Sequence, residues 1–221
     1  MNGYLMVMEG CDGCGKSTIA AFITDILNKT GYDAVSFSEP TYDSHAGRTV
    51  RKYLDEHTHI EGNELIKLFM EDRAYDLRCN ILPAMKKGKI VIMDRYWLST
   101  VAYEANENFH WKKILHMNRE KFLEPDITFI LNPSVEVCWK RILLRGRPIS
   151  QYETKDELWR TQAIYDEVIA NDQLGNYITI NSEHHAHETS QEIIAAIKYY
   201  IAKRMELDAL DNLDKDGHYV C

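Results

Sequence analysis

Residues 10–18 read GCDGCGKST, and within them Gly10, Gly15, Lys16 and Ser17 spell G-x-x-x-x-G-K-S. No other feature of the chain restricts its fold as tightly. A loop that turns successive backbone N–H groups onto one anion needs glycines for the curl and a helix N-terminus directly after it. The flanks supply both. Residues 4–8 form a short apolar run of buried-strand type, and Ile19, Phe22, Ile23, Ile26 and Leu27 recur at helical spacing until Gly31. Strand, loop and helix in that order predict that Gly10, Asp12, Gly13, Cys14, Gly15, Lys16, Ser17 and Thr18 cradle the phosphates of a nucleotide. Lys16 is then expected to reach the β- and γ-phosphates, and Ser17 to hold Mg²⁺.

The same stretch carries Cys11 and Cys14 at C-x-x-C spacing, that of a redox dithiol or half a zinc site. A zinc site needs a second pair of ligands, and Cys79, Cys138 and Cys221 form no second C-x-x-C. The two thiols therefore read as small residues that the loop tolerates. Five cysteines spread over 221 residues do not make a disulfide framework.

Strand and helix signals alternate along the rest of the chain. Strand-type runs lie at 34–37, 90–93, 126–131 and 177–180; helical periods lie at 64–85, 135–144 and 188–204. Five strands separated by helices predict an α/β fold, a five-stranded parallel sheet with helices on both faces. With 45% hydrophobic residues the chain can bury a sizeable core, and one domain over 1–207 is expected, followed by an acidic tail at 208–221. No run approaches the ~18 apolar residues of a membrane span. The opening Met-Asn-Gly-Tyr lacks the basic flank of a secretory leader, so a cytoplasmic location is expected. A formal net charge of −8 argues against polymeric nucleic acid as a partner, because a duplex binder needs a basic face.

Against that acidic background, basic groups gather where parallel sheets bind ligands, beyond the C-terminal ends of the strands. Asp94 and Arg95 follow the run 90–93; Glu39-Pro40, Arg48 and Arg51 follow the run 34–37; Arg145 and Arg147 follow the helix after the fourth strand. An acid ending a buried strand suits a site beside Mg²⁺, and an adjacent Arg suits bidentate contact with an anion. The plainer alternative is a surface Asp-Arg pair. A guanine-reading Asn-Lys-x-Asp is missing, since Asn28-Lys29 ends the first helix without the Asp, and this argues against a GTPase.

Taken together, these motifs resemble the thymidylate kinase family. The resemblance rests on Glu9-Gly-Cys-Asp12, Leu68-Phe69-Met-Glu-Asp-Arg73, Asp94-Arg-Tyr-Trp-Leu-Ser-Thr100-Val-Ala-Tyr103, Pro125-Asp-Ile-Thr-Phe129 and Arg160-Thr-Gln-Ala-Ile-Tyr165, in that order over nearly the whole chain. It implies a three-layer P-loop kinase fold with a mobile lid at about 145–155. It also implies phosphorylation of dTMP by ATP with Mg²⁺ at Ser17 and Asp94, and frequent dimerisation, of which the sequence gives no independent sign. Asp12 is then expected at the sugar 3′-hydroxyl, Phe69 on the base and Arg73 at its edge. Arg95 and Arg51 would hold the acceptor phosphate, with Thr100 in the acceptor site and Tyr103 under the sugar. Arg145, Arg147 and Arg160 would neutralise the transferring phosphoryl group.

The chain departs from the family pattern at several points. Ser38 precedes Glu39 where Arg is common, Gly13 stands where some members carry a catalytic Arg, Asn132-Pro133 replaces a frequent Asp, and the lid reads Ser150-Gln-Tyr-Glu153. A nucleoside monophosphate, with a second pKa of about 6, can attack without a general base. A deoxynucleoside kinase on the same fold is the alternative; its neutral hydroxyl acceptor would need a carboxylate, for which Glu39 is the candidate. His184-His185-Ala-His187 lacks the ligand spacing of a metal site and reads as a solvated loop.

Overall fold

The computed structural model describes residues 3–56, 60–172 and 175–215, with side chains up to residue 209. Five parallel strands form one sheet: β1 (Tyr4–Glu9), β2 (Ala34–Ser38), β3 (Ile90–Asp94), β4 (Ile127–Leu131) and β5 (Tyr177–Ile180), in the spatial order β2-β3-β1-β4-β5. This is the expected sheet.

Helices cover both faces, and β1 shows how. Met6 and Met8 point to one side, where they meet Ile19, Ile23 and Leu27 of α1 (Lys16–Lys29), Val135 and Ile142 of α7 (Val135–Leu144), and Ile193 and Ile197 of α9 (Ala186–Lys215). Leu5 and Val7 point to the other side, into a core shared with Ile66 and Met70 of α3 (Gly62–Asp76), Trp97 and Val101 of α5 (Trp97–Glu104), Ile114 of α6 (Trp111–Arg119), and Tyr165 and Val168 of α8 (Lys155–Asn171). A strand buried on both faces has no polar alternation to show, so it reads as a continuous apolar run.

Two elements differ from their sequence expectations. The helix expected at 64–85 extends from Gly62 to Lys86, but in three parts: α3, a π-helical turn at Leu77–Ile81, and α4 (Leu82–Lys86). The wider turn lies just ahead of Pro83, which has no N–H to give to a regular helix. Helix α9 runs on to Lys215, into the segment expected as a tail; residues 216–221 lie outside the described residues. No helix among the described residues is long and apolar enough to cross a membrane.

The register fixes the site. Met8 of β1 pairs with Asp94 of β3, and Ser38 of β2 pairs with the same Asp94. Glu9, Glu39 and the Asp94-Arg95 step therefore leave the sheet side by side at its C-terminal edge. Helix α2 (His45–Glu56), carrying Arg51, follows the loop after β2.

Candidate active site

The loop between β1 and α1 has the backbone that its glycines predict. Gly13 has φ 83°, and a Cβ there would lie 2.4 Å from the carbonyl oxygen of Cys138. No side chain fits at Gly13 without movement of α7, so a catalytic arginine cannot simply be added at that position. Gly15 precedes α1 with φ 106°, and no side chain caps the helix. Its first N–H groups stay available for an anion, and the helix dipole favours negative charge there.

Lys16 is buried rather than solvent-facing. Its Nζ donates to the carbonyls of Gly10 and Cys11, both at 2.8 Å, and lies 3.5 Å from Cys14 Sγ. Cys11 Sγ lies 3.4 Å from Cys138 Sγ, a contact that spacing alone did not reveal. Among the described residues no group of three or more His, Cys, Asp or Glu is arranged to hold a metal ion, and Cys11 and Cys14 are both buried in the core beside α1.

A cleft of about 860 Å³ opens beside this loop. It is lined by Asp12, Gly13, Gly15, Lys16, Ser17, Thr18, Glu39, Arg51, Phe69, Arg73, Asp94, Arg95, Thr100, Tyr103, Arg145 and Arg147. Gly10 and Cys14 are not on its wall; they support the loop from behind. Arg160 is also turned elsewhere, donating to the carbonyls of Tyr103 and Ala105 and pairing with Glu157. It buttresses the end of α5 and does not line the cleft.

Asp12, Arg95 and Tyr103 form one cluster. Arg95 Nη2 donates to Asp12 Oδ1 at 2.5 Å and Tyr103 Oη to Asp12 Oδ2 at 3.1 Å. Burial opposes ionisation of Asp12, but the charges of Arg95 and Lys16 and the Tyr103 hydroxyl outweigh it and hold the carboxyl below the usual range. Arg95 has φ 72°, in a left-handed region unusual for a side-chain-bearing residue. Glu9 accounts for the conformation that follows. Its Oε1 accepts from the backbone N–H of Tyr96 and Ser99, while Oε2 accepts from Ser99 Oγ and Tyr165 Oη. Glu9 was not singled out from sequence, although an acid ending a buried strand is the signal that identified Asp94.

Arg73 is 1% exposed. Among the described residues it makes no ion pair with Asp72 or Asp76 of its own helix. Its Nε and Nη2 donate to Glu39 Oε2 at 2.9 and 2.6 Å, Nη2 also to Thr100 Oγ1 at 3.1 Å, and Nη1 to Asn118 Oδ1 at 2.7 Å. Asp72 instead accepts from the backbone and hydroxyl of Thr41 and from Ser44 Oγ, ordering the loop after β2. Arg51 holds the same loop through the carbonyls of Pro40 and Thr41 and stacks 3.6 Å above the Tyr42 ring.

The segment expected as a lid contributes Arg145, Arg147, Ser150, Tyr152 and Glu153 to the lining of the cleft. Arg145 and Arg147 both donate to Glu153 Oε1, at 3.0 and 2.9 Å, while Glu153 Oε2 accepts from Ser150 N in a capping box. Two guanidiniums share one carboxylate, so this segment keeps a net positive charge beside the cleft. Tyr152 anchors it to the body by donating to Glu104 Oε1 at 3.2 Å and meeting the Tyr103 ring edge-on at 5.6 Å.

Ser17 and Asp94, the expected Mg²⁺ ligands, both line the cleft. Ser17 is exposed to it. Asp94 Oδ1 is buried without a hydrogen-bond partner among the described residues. A carboxylate oxygen left unpartnered and a free hydroxyl are the hard oxygen donors that Mg²⁺ takes.

The sequence matches the thymidylate kinase family over residues 8–193. It is 34% identical to the thymidylate kinase of Leptospira borgpetersenii over 170 residues, covering 76% of this chain and 82% of that protein. It is 35% identical to a probable thymidylate kinase of Archaeoglobus fulgidus, covering 73% of this chain and 80% of that protein. A probable thymidylate kinase of Pyrococcus abyssi is 30% identical and is aligned over 90% of this chain and 98% of its own length. With the phosphate loop, the Asp94-Arg95 turn and the Phe69–Arg73 helix face all on one cleft, these matches show that the chain belongs to the thymidylate kinase family.

Proposed function

We propose that the chain transfers the γ-phosphoryl group of ATP to dTMP, giving ADP and dTDP. One observation carries this reading: a single cleft joins the phosphate-binding loop to an aromatic face and a buried guanidinium, with Arg51 and Arg95 in its wall. Donor phosphates, acceptor phosphate and pyrimidine base each have a chemically matched surface there.

In this reading Phe69 stacks on the base and a free N–H of Arg73 donates to O4, with Thr100 beside it. Tyr103 lies against the sugar, where a ribose 2′-hydroxyl would crowd it. Asp12 accepts from the 3′-hydroxyl, a role suited to a carboxyl kept ionised. Arg51 and Arg95 hold the acceptor phosphate. Near neutral pH that phosphate is largely a dianion, its second pKa being about 6, so its oxygen attacks without a base. Positioning and charge neutralisation then supply the catalysis. Lys16 exchanges the loop carbonyls for the β- and γ-phosphate oxygens, and the net positive lid brings Arg145 and Arg147 to the transferring group. Ser17 and Asp94 would hold Mg²⁺, which when bound neutralises phosphate oxygens.

Glu39 does not suit the alternative in which a deoxynucleoside hydroxyl loses its proton to a base. Its Oε2 is already taken by two donors of Arg73 in a buried ion pair, so it is not free to accept a proton from a substrate hydroxyl. ADP formation measured with thymidine, dTMP, dUMP, dCMP, dGMP and UMP tests the proposal. The highest rate is expected with dTMP. Activity on thymidine and on no monophosphate would overturn it.

A further inference from the structure

Base choice in this reading depends on Arg73, and the geometry of Arg73 brings in a residue outside the cleft. A guanidinium carries five N–H donors and no acceptor. Four are engaged by protein: Nε and one Nη2 hydrogen on Glu39, the second Nη2 hydrogen on Thr100, and one Nη1 hydrogen on Asn118. One Nη1 hydrogen is left without a protein acceptor among the described residues. Asn118 is fully buried on α6 and is not part of the cleft wall. Its own amide orientation is set, because Nδ2 donates to the Ile114 carbonyl at 2.8 Å; flipping it would put one donor against another at Arg73 and an oxygen against a carbonyl.

We propose that Asn118 is a positioning residue for base selection: accepting from one Nη1 hydrogen outside the cleft wall, it holds the end of the guanidinium that Glu39 does not grip, so that the remaining Nη1 hydrogen is the donor presented to a base carbonyl. The proposal rests on the dTMP reading and deepens it. A lone donor suits O4 of thymine or uracil. It offers no fork for O6 and N7 of guanine, and it opposes the N4 amino group of cytosine. Without Asn118 the guanidinium is held from the Glu39 and Thr100 side alone, its remaining Nη1 donor is no longer aimed at O4, and the bond that a carbonyl-bearing base makes is weakened. Discrimination against dCMP and dGMP then weakens although nothing touching the nucleotide has been replaced.

The test is kcat/KM for dTMP, dCMP and dGMP in wild type, Asn118→Leu, Asn118→Ser and Asn118→Asp. Leucine removes the acceptor at similar volume. Serine can bond the Ile114 carbonyl one turn back but is too short to reach Arg73. Aspartate keeps an oxygen where Oδ1 stands and, protonated on its other oxygen, can still donate to the Ile114 carbonyl. The ratio between substrates in one preparation does not depend on the fraction of active enzyme, so a purely structural role would leave it unmoved. The expected result is a fall of about tenfold in the dTMP-to-dCMP ratio for the leucine and serine variants, carried mainly by KM for dTMP, with the KM for ATP unchanged and the aspartate variant near wild type. A wild-type ratio retained without the acceptor, or lost in Asn118→Asp, overturns the role of Asn118 while leaving the dTMP reading intact. A wild-type enzyme with no preference for dTMP overturns both.

Discussion

Nε and Nη2 of Arg73 converge on one oxygen of Glu39, Oε2, at 2.9 and 2.6 Å, with both side chains almost wholly buried. A charged pair taken out of water this completely is poor evidence for stability, because desolvation offsets most of its attraction. It is good evidence for orientation. The carboxylate fixes the plane of the guanidinium and leaves its Nη1 end for recognition. Arg73→Ala is therefore expected to reduce the dTMP-to-dCMP ratio of kcat/KM by roughly tenfold to a hundredfold, the cost of opposing a donor to an amino group in a partly buried site. Steady-state kinetics on both substrates provide the check. Equal losses on the two would remove Arg73 from base recognition.

Lys16 makes a different prediction because its ammonium already has partners. It bonds the Gly10 and Cys11 carbonyls, so Lys16→Ala takes away both a phosphate contact and an internal tie of the loop. The expected outcome is a fall in kcat of at least about a hundredfold, as for loss of a charge that stabilises the transition state, with weaker ATP binding and an unaltered far-UV spectrum. Retention of a tenth of the wild-type kcat would show that the loop is not catalytic.

In the lid, Arg147 is the more exposed of the two guanidiniums on Glu153, its side chain 62% exposed against 36% for Arg145. It is the freer to follow the charge that develops during transfer. Arg147→Ala is expected to lower kcat more than it raises the KM for dTMP, by about tenfold or more in kcat. A change confined to KM would count against a transition-state role for the lid.

Among the carboxyls that burial pushes up, Glu104 lies at about 7 and Asp76 at about 6. Each has a folded pKa above its unfolded value, so each contributes stability that is complete at acid pH and lost as pH rises through the folded value. The melting temperature is therefore expected to fall from pH 5.5 to pH 8.5. Each group, while titrating, contributes a slope of about 1.4 kcal/mol per pH unit at most. Glu104→Gln keeps an oxygen for the Tyr152 hydroxyl and should flatten the curve around pH 7. Calorimetry across that range measures it; an unchanged slope in the variant would show that Glu104 titrates normally.

The strands were legible because helices on both faces turn each into an apolar run, and the phosphate loop because its residues lie within nine positions. Several helices were not. Nearly every residue of α5 is buried, Tyr103 excepted, so no amphipathic period marks it. Helix α2 buries only Ala46, Gly47 and Val50, too small to stand out as an apolar stripe. The site divides in the same way. Lys16, Asp94 and Arg95 announce themselves locally, whereas Glu9 acts on Tyr96, Ser99 and Tyr165, and Asn118 on Arg73, across separations that only the fold closes. Arg160 was expected in the cleft from its motif; the carbonyls ending α5 claim its donors instead.

The destination of the γ-phosphoryl group tests the central claim most directly. ATP labelled in its γ-phosphate is incubated with the enzyme and either dTMP or thymidine, and the products are separated. The account predicts label in dTDP when dTMP is supplied and none transferred to thymidine. Label appearing in dTMP from thymidine, with no dTDP formed from dTMP, would contradict it.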